Sequence, residues 1–158
     1  MPRTFGNAQD IEGQAQDCDM NERAAQFAAI WMQRLGDKAS EMTCDSRLVL
    51  AAQTQADWLA MNDFDETNPH LGENGSSANA RARAAGYRLP SWFGNANNVE
   101  SVARDWNPDM AAVVDGLMAH DTHHAHMHVI LDFSEHVVYG IGSEATYYVV
   151  VTAPTEGD

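Results

Sequence analysis

Apolar residues recur at helical spacing over most of the chain and at strand spacing only near its end. Ala24, Phe27, Ala28, Ile30, Trp31 and Leu35 share one side of a 3.6-residue period, which predicts a helix that Gly36 stops. Asp19, with Glu22 three residues on, reads as its capping-box start. A second helix is predicted from Asp45 or Ser46, with Leu48, Ala52, Ala56 and Leu59 as its core stripe and Trp58 and Met61 on the flank. The polar stretch 62–75 holds the turn pairs Asn68-Pro69 and Asn74-Gly75 and reads as a loop, with His70 inside it. Ser77 can cap a short helix through Ala80, Arg81 and Ala84 that ends at Gly86.

A further loop carries Pro90, Trp92 and Gly94, and the alternation of Val99 and Val102 makes residues 98–103 strand-compatible. Asn107, Pro108 and Asp109 stand as N-cap, first helical residue and first-turn acid before the stripe Met110, Val113, Val114, Leu117 and Met118. The β-branched and aromatic runs 137–142 and 147–152, separated by residues 143–146, read as a hairpin. Residues 1–17 show no periodicity and read as an N-terminal arm, which leaves 18–158 as a single domain. Helices first, a strand in the middle and a hairpin last predict an α+β fold, with helices packed on a small antiparallel sheet.

A length of 158 residues fits one domain, and 44 % hydrophobic content is enough to fill its core. Twenty-three acidic against nine basic residues give a net charge of -14, which repels phosphate backbones and argues against nucleic acid as a partner. Lys38 is the only lysine, a bias that fits either salt adaptation or drift in composition. No apolar run reaches the length needed for a transmembrane segment, and the opening Met-Pro-Arg-Thr-Phe-Gly has no signal-peptide h-region. Cys18 and Cys44 are too few for a four-cysteine zinc site and leave two readings open, a pair of free buried thiols or one disulfide in an oxidising compartment.

Five of the seven histidines fall within positions 120–128: His120, His123, His124, His126 and His128. If the preceding helix continues to residue 124, His120 shares a face with His123 and His124; if the chain is extended beyond, His126 and His128 share one. Imidazoles in such numbers suit zinc, copper or nickel, whereas single ones also serve as packed or helix-capping residues. Asp63, Asp65 and Glu66 read as a solvated loop face, with Ca2+ the lesser alternative because EF-hand spacing is absent. There is no Gly-x-Ser-x-Gly elbow, Walker loop or His-Glu-x-x-His, so the familiar hydrolase and NTPase chemistries lose support.

Taken in order, several short motifs resemble the bacterial SCP-like proteins of the CAP superfamily (cysteine-rich secretory, antigen 5 and pathogenesis-related proteins). Cys44 through Leu48, Ala51-Ala52-Gln53 and Ala56 is similar to that family's second helix. Phe64, His70, Gly72 and Gly75, then Arg81 and Ala85-Gly86-Tyr87, match its loop histidine before an arginine and an Ala-Gly-Tyr. Glu100-Ser101-Val102-Ala103 stands where the family has Glu-Asn-Ile-Ala, and His123-His124-Ala125-His126 where it has His-Arg-x-His or His-Arg-x-Asn. Tyr139-Gly140-Ile141-Gly142 and Tyr147-Tyr148-Val149-Val150 follow, so the resemblance covers about residues 20–153.

The resemblance implies an α-β-α sandwich around a central antiparallel sheet, with a cleft where His70, Glu100 and His123 converge. It also implies a bridge between Cys18 and Cys44, an extracellular or secreted location, and a module that binds a lipid-like small ligand or a protein partner. Within that cleft we expect a divalent metal, Zn2+ first, on His70 and His123. Glu100 would serve as a direct ligand or as the acceptor that orients a ring, and His120, standing where the family has Ser, as an extra ligand. The pair His126 and His128 is the reserve site. Two rival functions use the same residues: a metal-dependent hydrolase with Glu100 as ligand or general base, and a structural or virion-surface protein with a vestigial cleft.

Overall fold

Two runs of β-branched and aromatic residues make the centre of the molecule. In the computed structural model, which describes residues 8–62 and 68–156, β3 (Val138–Glu144) and β4 (Tyr147–Ala153) pair antiparallel, with Val138 opposite Ala153 and Glu144 opposite Tyr147. On the other edge of β4, β2 (Glu100–Arg104) pairs antiparallel from Glu100 opposite Val151 to Arg104 opposite Tyr147. A two-residue strand, β1 (Thr43–Cys44), adds to β3 in parallel, giving the order β1-β3-β4-β2. The sheet is therefore mixed where a purely antiparallel one was expected, because a strand of two residues carries no readable alternation.

Each face of the hairpin meets helices. Tyr139, Ile141, Tyr148 and Val150 pack with α2 (Glu22–Leu35) and α5 (Met110–Ala119), while Val138, Tyr147, Val149 and Val151 pack with α3 (Ser46–Met61) and α4 (Ala78–Ala84). The layers are α-β-α, and burial on both faces is why these strands read as continuous apolar runs. Gly140 and Gly142 face α3 at a distance that excludes a side chain: a Cβ would lie 2.2 Å from Val49 N at the first and 2.4 Å from Gln53 N at the second.

Several local expectations shift. Ala8–Asp17, inside the segment read as an arm, is a helix (α1) that buries Ala15 and partly buries Ile11 against the α2 side of the core. An apolar stripe of so few residues gives no period to detect. The α2 cap is Asn21, whose Oδ1 accepts the Ala24 N–H at 3.0 Å, because Asp19 adopts a left-handed φ of 74° and turns the chain between α1 and α2. The cap of α5 is Asp109 in place of Asn107; Asn107, two residues earlier, instead accepts the Asp109 N–H at 2.9 Å. Of the two readings left open for the cysteines, the structure takes the bridge: Cys18 after α1 is joined to Cys44 in β1. Asp63, Phe64, Asp65 and Glu66 lie outside the described residues.

Candidate functional site

The site begins with a buried acid at the end of a strand. Glu100, the first residue of β2, is fixed by Asn97, whose Oδ1 accepts the N–H groups of Val99 (3.2 Å) and Glu100 (2.8 Å). Asn79 of α4, fully buried, ties the preceding loop down by accepting the Asn98 N–H at 3.0 Å and donating to Phe93 O at 3.1 Å. Two residues from neighbouring helices hold His70 beside this strand. Gln55 of α3 donates to Pro69 O (2.6 Å) and Leu71 O (3.1 Å), and Arg81 of α4 donates to His70 O (2.9 Å).

Glu100 is shared between a permanent cation and a ring. Arg81 Nη2 donates to both its oxygens, at 3.1 and 2.9 Å, and His70 Nδ1 lies 2.9 Å from Oε1. The side chains of Arg81 and Glu100 are 6 % and 1 % exposed, whereas that of His70 is 27 % exposed. A neutral imidazole that donates from Nδ1 to a carboxylate has its lone pair on Nε2, and the contact with Glu100 fixes the direction in which the His70 ring points.

The histidine-rich segment is divided three ways by its backbone. α5 stops at Ala119 with His120 extended, and a second short helix, α6 (His124–His128), follows, so the expected helix through residue 124 is interrupted. His123, at the N-cap of α6, lines the same cleft as His70. Its Nδ1 is buried without a hydrogen-bond partner among the described residues, and burial first, then the nearby His120 and His70, pushes its pKa down to about 4. His120 packs its ring 5.1 Å from that of His123 but bonds Thr122 Oγ1 at 2.8 Å and lies outside the cleft lining.

His126 points into the core. Its Nδ1 is 2.5 Å from Ser101 Oγ, its Nε2 is 2.7 Å from Thr152 Oγ1, and Thr152 Oγ1 is 2.9 Å from His136 Nδ1. Because residues 124–128 are helical, His126 and His128 project on different sides, and the reserve pairing of these two is replaced by His124 with His128, whose ring centroids are 4.2 Å apart.

The cleft so formed has a volume of about 460 Å³ and includes His70, Glu100, Ser101, His123, His126 and Phe133 in its wall. It juxtaposes a positioned imidazole, a neutral imidazole and a carboxylate already neutralised by Arg81. Ser101 against His126 has the form of a nucleophile and its base, but Ser101 is 1 % exposed and burial pushes His126 down to about 3. A ring so reluctant to accept a proton is a poor general base, and the pair acts as a buried tie between β2 and α6. Among the described residues no group of three His, Cys, Asp or Glu side chains is arranged to hold a metal ion. Two imidazoles, those of His70 and His123, line the same cleft.

Of the residues expected from sequence, His70, Glu100 and His123 come together and His120 stands at the edge. Arg81, Asn97, Asn79 and Gln55 were not expected to build the site. Arg81 was visible only as part of the motif match, and Asn97, Asn79 and Gln55 only as polar residues on otherwise apolar helix faces or in an Asn-rich run, which periodicity does not separate from surface.

The chain matches a solved structure of an extracellular protein containing a SCP domain from Bacillus anthracis str. Ames, with a TM-score of 0.58 and 12 % sequence identity. The match covers 98 % of this chain and 45 % of that one, so the chain spans less than half the length of its structural neighbour. At this identity the likeness is one of fold, and the fold is that of an SCP domain. No protein-family model matches the sequence, and no curated protein matches it.

Proposed function

We propose that this SCP-fold chain is an extracellular binding module whose cleft takes a divalent metal, zinc first, between His70 and His123. The observation that carries the reading is the hydrogen-bonded order Arg81, Glu100, His70, which spends the carboxylate on orienting the ring. A carboxylate behind an imidazole in this way fixes the ring's orientation and so the direction of its outer nitrogen. The orphaned nitrogen of His123 and its low pKa supply a second neutral donor. Glu100 thus acts behind the ligand instead of as one. When bound, the ion supplies Lewis acidity and open coordination positions. The residues around it decide what can use those positions.

Those residues favour retention over turnover. Pro69, Val99 and Phe133 line the cleft beside the histidines, which suits a ligand with an oxygen donor for the ion and an apolar portion for the wall. The Cys18–Cys44 bridge and the extracellular neighbour both support an oxidising location. Among the described residues no helix is long and apolar enough to cross a membrane.

The test is zinc titration by calorimetry at pH 7.5, on protein purified without chelators or nickel resin. The His70→Ala, His123→Ala double variant is expected to bind one zinc ion fewer than wild type. Equal stoichiometry and affinity would overturn the reading.

A further inference from the structure

The outward face of α6 carries two imidazoles that the cleft does not use. His124 and His128 are one turn apart, with ring centroids at 4.2 Å and planes tilted by 34°. His124 is exposed and His128 half-buried, and among the described residues no hydrogen bond engages either ring. From this juxtaposition of free imidazoles on one helix face we propose a second metal site, formed by His124 and His128 and taking one borderline divalent transition ion, Cu2+ most tightly.

The rotation of α6 is set by contacts on its other side, which is what makes the pair persistent. Met127 is fully buried, and its carbonyl accepts the Trp31 Nε1–H at 2.8 Å. His126 is anchored to Ser101 and Thr152. Val129, with a left-handed φ of 56°, ends the helix by returning its N–H to His126 O at 3.1 Å. A β-branched residue rarely adopts that conformation, so the core must hold the turn in place. With positions 126, 127 and 129 fixed inward, positions 124 and 128 have no choice but to share the outer face.

Two histidines at positions i and i+4 on one helix face are a spacing that chelates a metal ion, and imidazole suits zinc, copper and nickel. For a given nitrogen donor set copper(II) ranks highest among these ions. The remaining coordination positions face solvent, so the bound ion exchanges freely and stays accessible to a partner's donor atoms. A net charge of -14 raises the local concentration of cations around such a site. The site is separate from the cleft: His123 and His124 are adjacent in sequence, yet the first lines the cleft and the second does not.

The experiment uses CuCl2 as the probe, in a buffer that does not bind copper, with the full chain carrying His70→Ala and His123→Ala as background. This background is expected to retain one Cu2+, with nitrogen hyperfine structure in its paramagnetic resonance spectrum. Adding His124→Ala or His128→Gln should each weaken that binding roughly 10- to 100-fold, since each breaks a chelating pair. Circular dichroism of the variants at these outward positions checks that the fold persists. If the background binds no copper, or if both added substitutions leave its affinity unchanged, the helix site is overturned. Neither result depends on whether the cleft binds zinc.

Discussion

Arg81 Nη2 donates to both carboxylate oxygens of Glu100, at 3.1 and 2.9 Å, in a pocket where neither side chain is more than 6 % exposed. The same guanidinium also bonds Ser76 O at 2.6 Å and His70 O at 2.9 Å, so one residue neutralises the acid and closes the loop that carries the histidine. Removing it leaves a buried carboxylate without its cation. Arg81→Ala should lower stability by about 3 to 5 kcal/mol, the usual cost of breaking a buried ion pair from one side. Urea denaturation checks this, and a loss below about 1 kcal/mol would mean that the pair behaves as a surface contact.

The approach of α3 to β3 depends on two glycines. A methyl group at residue 140 would meet backbone atoms of Leu48 and Val49 at 2.2 to 2.8 Å, and one at 142 would meet Ala52 and Gln53 at 2.4 to 2.5 Å. Backbone cannot move aside as a flexible side chain can. Gly140→Ala and Gly142→Ala should each cost about 1 to 3 kcal/mol or more through overpacking. Gly116, with open space around its Cβ position, is the control, and Gly116→Ala should be neutral or stabilising because it lies within α5. Thermal unfolding of the three variants gives the comparison.

The Cys18–Cys44 bridge closes a loop with a sequence separation of 26 that contains all of α2. In the chain-entropy account a loop of this size stabilises by roughly 3 to 4 kcal/mol. Denaturant midpoints measured with and without reductant should differ accordingly, and the Cys18→Ala, Cys44→Ala double variant should no longer respond to reductant. Identical midpoints for the oxidised and reduced protein would contradict the entropic role.

Three histidines are held neutral by their surroundings. Burial pushes His123 and His136 down to about 4 and His126 to about 3, against about 6.5 in an unfolded chain. Below pH 6.5 the unfolded chain binds protons that the folded chain refuses, so stability is complete above that value and falls as the pH drops toward 4. His126 and His136 are each 4 % exposed, and each should contribute a slope approaching about 1.4 kcal/mol per pH unit within that window. Urea midpoints in the presence of chelator at pH 7.5, 6.5 and 5.5 measure the slope. A midpoint that stays level to pH 5.5 would show that the rings are solvated in the folded protein.

Much of the architecture is legible from local patterns. The core stripes of α2, α3 and α5 and the two strands of the hairpin follow from periodicity and β-branching, and those segments form where predicted because each buries the face that its pattern marks. His70, Glu100 and His123 were brought together only through a resemblance in motif order, since 52 residues lie between the two histidines and no local rule relates them. The helix α1 and the strand β1 were missed because each is too short, or too poor in apolar residues, to display a period.

The sequence by itself determined which residues could enter a core, where turns interrupt them and that imidazole is concentrated in one segment. Only the tertiary structure decided which of those imidazoles face the cleft, the core or solvent. The reason is rotational: His120 breaks the helix, α6 restarts at His124, and the burial of His126 and Met127 then fixes the direction of every neighbour. The same holds for Arg81, whose place on α4 is readable, while its partner Glu100 lies on a strand that only packing of α4 against the sheet brings within reach.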